Sequence, residues 1–348
     1  MKIAVDAMGG DFAPLEIVKG IEIARDRYDD IDFQLYGTAS EVKPLVTNWE
    51  RIELIPTTEV IEMGDEPVKA MRRKKDSSMV RAALAVKEGH ADALFSAGNT
   101  GALLSSAIFL VGRIKGVDRP ALATALPSFE GEHDQFVFMD LGANADSKPA
   151  HLYQYGILGS FYASHVLGIQ SPTVRLLNNG AEEDKGDEVH KVAHQLMKNA
   201  PSFNFLGNIE ARELLEGTAD VVVADGFSGN AALKATEGTA LMMLKQIKAA
   251  IMDSGTRGKM GGALLKPAFK SIQKKLDYNE AGGAVILGVK APVVKTHGSA
   301  KATAVANTMG QIKTMIDQHL VSDIQNYIDT HTEELQAGKE ALNAQINA

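Results

Sequence analysis

ADVVVADGFSGNAALK, residues 219–234, passes from an apolar run through a small polar loop into a helical pattern. The valine-rich run reads as a strand, and a long helix is expected over about 230–252. The same strand, loop and helix unit recurs in LFSAGNTGALL (94–104), VFMDLGANAD (137–146) and LLNNGAEEDKGDE (176–188). Further short apolar runs read as strands: KIAVDA (2–7), DFQLYG (32–37), ERIELIP (50–56) and GAVILGV (283–289), with FNFLGN (203–208) as a shorter one. Helical patterns lie between them over about 14–27, 77–88, 101–111, 149–165 and 186–197, and again from about Ala300 onward. Strands alternating with helices imply parallel pairing and an α/β architecture. No clean linker or short repeat is present, so any two lobes are intertwined rather than strung in series. Residues 1–330 are expected to form one such unit, and 331–348 a polar helical tail that frays.

The totals narrow the function. A chain of 348 residues with 45% hydrophobic and 23% charged residues is that of a folded protein. The formal net charge of −8 argues against a nucleic-acid binder, which would be basic. The absence of cysteine removes disulfides, thiolate metal sites and a cysteine nucleophile. The opening MKIAVDAMGGDF reaches Asp6 at once, so a secretory signal is not expected. No apolar stretch is long enough to span a bilayer, and a cytoplasmic protein resting at most on a membrane surface is expected. No His/Asp cluster has ligand spacing, so neither a metal nor a cofactor is expected.

In a parallel sheet the four loops lie at the carboxyl ends of strands, where open α/β folds place ligands. Each leads into a helix N-terminus with free N–H groups and a positive dipole end, which suits phosphate. In SAGNTGA (96–102), Gly98 and Gly101 allow close backbone approach, and Ser96, Asn99 and Thr100 are small hydrogen-bonding groups. They read equally as a capped helix start that needs no ligand. Asp140 and Asn144 in DLGAN, and Asp225 and Asn230 in DGFSGN, carry the same two readings. NNGAEEDKG (178–186) offers Asn178, Asn179 and the cation Lys185, which is otherwise a solvated ion-pair partner. His297 in THGSA (296–300) is either structural or a proton carrier.

Two basic segments stand out. Arg72, Arg73, Lys74 and Lys75 precede a probable cap at Ser77 or Ser78, and either form a solvated face or frame an anion. RGKMGGALLKPAFKSIQKK (257–275) has no acidic residue. In it Leu265, Ala268, Phe269 and Ile272 recur at helical spacing, beside a stripe of Lys266, Lys270 and Lys274. It reads as a basic amphipathic helix after a Gly-rich apolar loop that includes Lys259 and Leu264. One reading is a surface helix over a core. The other is a docking surface for an anionic membrane or an acidic protein.

These segments, in order, resemble the bacterial acyl-acyl carrier protein:phosphate acyltransferase family of phospholipid synthesis. The resemblance runs from VDAMGGDFAP (5–14) through GDEPVKAMRRKKDSS (64–78), SAGNTGA, DLGAN, LLNNGAEEDKG and DGFSGN to LDYNEAGGAVILGV (276–289) and THGSA. Each motif is weak alone; their order and spacing are specific. The family implies a three-layer α/β/α fold with a largely parallel sheet, similar to the isocitrate and isopropylmalate dehydrogenases. It implies transfer of a fatty acyl group from acyl carrier protein to inorganic phosphate, a homodimer, and peripheral contact with membrane or a membrane acyltransferase that uses the acyl-phosphate.

With no cysteine and no G-x-S-x-G elbow, direct attack of bound phosphate on the thioester is expected rather than an acyl-enzyme. The 96–101 loop, with Asp140 and Asn144, is expected to bind phosphate or substrate. Asn178, Asn179 and Lys185 would bind phosphate or the carbonyl. Asp225, or else His297, would accept the proton, with Asn230 beside them. Replacing Asn99 with alanine is expected to cut turnover and leave the fold intact. Carrier protein or membrane would meet Arg72 and Arg73, or Lys259, Leu264, Leu265, Lys266, Phe269 and Lys270. The rivals are a coenzyme A-dependent phosphotransacetylase, a nicotinamide dehydrogenase on the same fold, and a membrane-associated scaffold.

Overall fold

The computed structural model describes residues 1–276 and 282–332. Its strands are β1 (Lys2–Asp6), β2 (Asp32–Gly37), β3 (Ile52–Pro56), β4 (Ala93–Ser96), β5 (Ala121–Pro127), β6 (Gln135–Met139), β7 (Thr173–Asn178), β8 (Asn204–Glu210), β9 (Val221–Val223), β10 (Ala284–Leu287) and β11 (Val293–Lys295). The helices are α1 (Leu15–Arg27), α2 (Ala39–Val42), α3 (Pro67–Arg73), α4 (Ser78–Lys87), α5 (Thr100–Ser106), α6 (Pro149–Val166), α7 (Glu188–Lys198), α8 (Gly226–Asp253), α9 (Gly255–Leu276), α10 (Ala302–Asp317) and α11 (Leu320–Thr330).

All the described strands join one sheet in the order β3-β2-β1-β4-β11-β10-β5-β6-β9-β7-β8. Pairing is parallel within β3-β2-β1-β4-β11 and within β6-β9-β7-β8. The pairs β11/β10, β10/β5 and β5/β6 are antiparallel. Three reversals in a row leave the two parallel halves pointing in opposite directions. The architecture is α/β with a largely parallel sheet and helices on both faces, as expected. The opposed halves and the antiparallel seam were not anticipated.

The seam positions the site, because the two faces of the sheet pack differently. Side chains alternate between faces along a strand. On one face, Val5, Phe95, Val294, Val285, Ala123, Val137, Val223 and Leu176 share a continuous core that crosses both halves. Helices α1, α6, α7, α10 and α11 cover it. α6 is apolar nearly all round and is correspondingly buried. On the other face the core is split. Leu94, Val293 and Ile286 pack under α3, α4 and α5, whereas Phe136, Phe138, Val222 and Leu177 pack under a 3-10 turn at Ala211–Glu216 and the start of α8. Between these two cores, above β5 and β10, no described residue closes the layer, and a cavity opens there.

Local chemistry explains the helix starts. Ser77, Asn99, Asp187 and Asp225 each cap a helix through a side-chain oxygen that accepts a backbone N–H. Several details differ from the sequence reading. β5, β11 and α3 were not foreseen. The helix expected over 101–111 is α5 followed by a π-helical turn at Ala107–Val111, ended by Gly112 at φ +98°. α8 begins at Gly226, four residues earlier than expected, because Asp225 rather than Asn230 is its cap.

The 257–275 segment needs a larger correction. It lies within the continuous helix α9, so its Gly-rich part is helical rather than a loop. Nor does it lie over a core: Leu264 is 83% exposed, and Met260, Leu265 and Ile272 are also exposed. α9 packs back on α8, whose Leu241, Met242 and Met243 are exposed as well. The side chains of Lys274 and Leu276 lie outside the described set, as do residues 277–281 of the LDYNEAGG motif and 333–348 of the expected tail. No described helix is long and apolar enough to cross a membrane.

Candidate active site

The cavity, about 460 Å³, sits on the antiparallel seam. Its floor is Leu122 and Thr124 of β5 with Ala284 and Ile286 of β10, which alternation places on one face. One wall comes from the first half of the sheet: Met63, with Thr100, Gly101, Leu103 and Leu104 of α5. The opposite wall comes from the second half: Leu141, Gly142 and Ala143 after β6, with Asn230, Leu233, Lys234 and Glu237 of α8. Lys295, Thr296, His297 and Gly298 at the end of β11, with Asp11, complete it. Strand-end loops from both opposed halves thus converge on one space.

Of the four sequence loops, three reach the cavity and one does not. Thr100 and Gly101, Gly142 and Ala143, and Asn230 line it, as does His297. The 176–188 loop does not: Lys185 and Asn179 are exposed and lie outside the lining. The Asn178 amide donates to the Lys185 carbonyl, and its oxygen accepts from the Asn179 N–H, so Asn178 shapes its own loop. That loop is instead tied to α8. His190 Nδ1 lies 2.7 Å from Asp187, and its Nε2 lies 3.6 Å from Asp225. The Asp225 carboxylate, an ion-pair partner at that distance, raises the His190 pKa against burial, with Asp187 adding to it. Burial would raise the Asp225 pKa, but His190 and the Ser228 N–H override it and hold the carboxyl at about 2. A carboxylate so weakly basic and tied to an imidazole is a poor proton acceptor. It is better suited to fixing α8 and His190. His190 was missed in the sequence, where its only signal was its place three residues after the cap Asp187.

Several expected ligands prove to be committed to scaffold. The Asn99 oxygen caps α5 at the Ala102 N–H, and its amide donates to the carbonyls of Glu62, Met63 and Asp65. Removing it would strip a helix cap and release the 62–65 loop. The expectation that alanine here leaves the fold intact is therefore withdrawn. The Ser96 hydroxyl donates to Asp6 at 2.6 Å and accepts the Gly98 N–H at 2.9 Å. A β-carbon on Gly98 would lie 3.3 Å from the Gly9 Cα, so glycine permits the approach. Asp140 is fully buried and accepts from the N–H groups of Leu122, Gly142, Ala143 and Asn144 and from the Asn144 amide. Asn144 also donates to the Pro120 carbonyl and to Tyr155. These side chains build the walls that backbone and neighbours then present.

Lys295 was not singled out from the sequence. It ends β11, and its Nζ donates to the Thr296 carbonyl at 2.7 Å. Burial, with Lys234 adding repulsion and Asp11 opposing, lowers its pKa to about 8. The neighbouring Thr296 hydroxyl is buried and has no hydrogen-bond partner among the described residues. The only sequence signal for Lys295 was its place just before THGSA. The cavity therefore joins an end carrying the amines of Lys295 and Lys234 to a wall of Met63, Leu103, Leu104, Leu141 and Leu233. Arg72 and Arg73 are exposed at the end of α3, while Lys74 is bonded to Asp65 and the Val60 carbonyl. Lys259, Lys266 and Lys270 are exposed on α9, with Phe269 half-buried. Among the described residues no group of three or more His, Asp or Glu side chains could hold a metal ion.

Comparison with known proteins bears on this geometry at two levels. Among solved structures, a phosphotransacetylase from Streptococcus pyogenes superposes with a TM-score of 0.58 at 16% identity, covering 92% of this chain and 94% of that one. EutD phosphotransacetylase from Staphylococcus aureus gives 0.57 at 17% identity, covering 90% and 93%. At such identities the likeness is one of fold. The sequence matches reach further. The family model described as "Fatty acid synthesis protein" matches residues 1–323. The phosphate acyltransferase of Leuconostoc mesenteroides is 84% identical over 342 residues, 98% of this chain and 100% of that protein. That of Oenococcus oeni is 61% identical, covering 95% and 96%. The chain belongs to the phosphate acyltransferase family and is an acyltransferase enzyme.

Proposed function

We propose that the enzyme moves a fatty acyl group from the thioester of acyl carrier protein to inorganic phosphate, releasing acyl-phosphate for phospholipid synthesis, and that the cavity on the seam is where it does so. The observation that carries this is the chemical division of the cavity. Lys295 and Lys234 suit a phosphate at one end, and the leucine wall suits the first carbons of an acyl chain. Phosphate held beside the thioester carbonyl attacks directly, since the chain has no cysteine to form a thioester intermediate. Thr100, Gly101, Asn230 and His297 are the remaining polar groups placed to orient the two substrates. The test is phosphate-dependent release of free carrier from palmitoyl-acyl carrier protein, with palmitoyl-coenzyme A in parallel. Turnover with the carrier substrate is the expected result. Turnover with coenzyme A alone would make the donor a nucleotide thioester and overturn the carrier assignment.

The α8–α9 hairpin supports the partner side of this reading. It carries exposed Leu241, Met242, Met243, Met260, Leu264 and Leu265 beside exposed Lys259, Lys266 and Lys270. Apolar surface of this extent on one hairpin favours a cover, for which a second copy of the chain and a membrane surface are the natural occupants. Acyl carrier protein is acidic as a class, whereas this chain is acidic overall, so docking needs a basic patch such as these lysines or Arg72 and Arg73. The double variant Lys266→Glu, Lys270→Glu is expected to weaken sedimentation with anionic vesicles, or to raise the KM for the carrier substrate, by about tenfold. Unchanged values in both assays would remove α9 from docking.

A further inference from the structure

Forming an acyl-phosphate from hydrogen phosphate and a thioester is redox-neutral but moves a proton. A phosphate oxygen bonds to the carbonyl carbon, the carbon–sulfur bond breaks, and sulfur departs with its electron pair. The proton on the attacking phosphate must then reach that sulfur. We propose that Lys295 carries it: the neutral amine takes the proton from the phosphate hydroxyl as the oxygen–carbon bond forms, and the resulting ammonium gives it to the leaving thiolate. This rests on the cavity being the acyl-transfer site.

The surroundings favour Lys295 over every other titratable group that faces the cavity. Among the described residues those groups are Asp11 before α1, Lys234 and Glu237 of α8, and His297 on the same strand end. The floor strands and α5 contribute none. Lys234 lies 3.9 Å from Glu237, and its side chain is 66% exposed to solvent. His297 is exposed, and its Nδ1 is taken up with Ser299. Asp11 flanks Gly298 and adds to the field on Lys295. Lys295 alone among these groups has a mostly buried amine whose proton affinity is brought close to working pH, at about 8. That is the range in which one group serves first as base and then as acid.

Lys295→Arg separates proton transfer from charge, because arginine keeps the cation and cannot release its proton. It should hold the KM for phosphate within about threefold and lower kcat about a hundredfold or more with the alkyl thioester of the carrier. With an aryl thioester, whose thiolate leaves without protonation, the loss should shrink to under about tenfold. Wild-type kcat/KM should rise as pH passes through about 8, as the amine becomes neutral, and this limb should vanish in the variant. Lys295→Met, checked for an unchanged Tm, covers the case in which arginine does not fit. Equal losses with both thioesters, or a limb that survives in Lys295→Arg and disappears in His297→Gln, would overturn the proposal. Absence of phosphate-dependent transfer in the wild type would instead remove the function on which it rests.

Discussion

Asp140→Ala is expected to be the most destabilising single substitution at the site. It would lower Tm sharply, with much of the protein lost to the insoluble fraction. The Asp140 carboxylate is fully buried and accepts five hydrogen bonds, all from nitrogen donors. Burial pushes its pKa up, and the N–H groups of Ala143, Leu122 and Asn144 with the Asn144 amide offset this only in part. Removing it takes the acceptor from the N–H groups of Leu122, Gly142, Ala143 and Asn144, whose hydrogen bonds to it are part-buried. A fully buried orphan costs roughly 1–3 kcal/mol; water can reach some of these donors and the terms do not add, so a loss of about 2–4 kcal/mol is expected. That is a large fraction of a total stability of about 5–15 kcal/mol. The same residue joins β5, through Leu122, to the loop after β6, so the loss falls on the floor and one wall of the cavity together. Asp140→Asn should be intermediate, since one acceptor oxygen remains while its amide opposes a backbone donor. Thermal unfolding followed by circular dichroism measures both. A drop under about 1 kcal/mol for the alanine variant would mean that the loop finds other acceptors.

The contrast between what could and could not be read from the chain follows from how far apart the deciding contacts are. β1, β2, β4, β7 and β9 are apolar runs bounded by turn residues, and their identity is local. β5, ALATALP, has little β-branched character and becomes a strand through pairing with β10 and β6. β11 has three residues, too few to show a period. The reversal of the second half of the sheet rests on these two strands and β10. The local pattern therefore predicted an α/β fold with strand-end loops and missed the seam on which the cavity lies. The candidate residues divide in the same way. Asn99, Asp140 and Asn144 were marked as ligand or cap, and both chemistries require an exposed hydrogen-bonding pattern in sequence. Only the tertiary partners, such as the Met63 and Pro120 carbonyls, show that the scaffold takes them. Lys295 was hidden for the opposite reason: a lysine after two valines carries no motif, and its character comes from burial and from Lys234 on a helix some sixty residues earlier.

Gly229→Ala should abolish most activity while sparing the sheet. In a helix interior this exchange is ordinarily favourable by about 1 kcal/mol. Here a β-carbon would collide with the Asp140 carbonyl oxygen, a backbone atom that cannot swing aside. Gly226 sits as tightly against the Asn144 carbonyl, so α8 is seated on the 140–144 loop by two glycines one turn apart. Relieving the clash requires α8 to lift by on the order of 1 Å, a displacement that can cost about a hundredfold in rate when it misplaces reacting groups. α8 brings Asn230, Lys234 and Glu237 to the cavity, so all three would move relative to Lys295 and Thr296. A hundredfold loss in kcat/KM is therefore expected, together with a lower Tm. Gly238→Ala supplies the control within the same helix, because a β-carbon there meets nothing within 4 Å. It should leave the rate alone and hold or raise Tm. If both variants behaved alike, the seating of α8 on the loop would not be what aligns the two walls. If only Gly229→Ala fell, catalysis would depend on a backbone contact inside the second half of the sheet, the one that seats its wall of the cavity against the wall supplied by the first half.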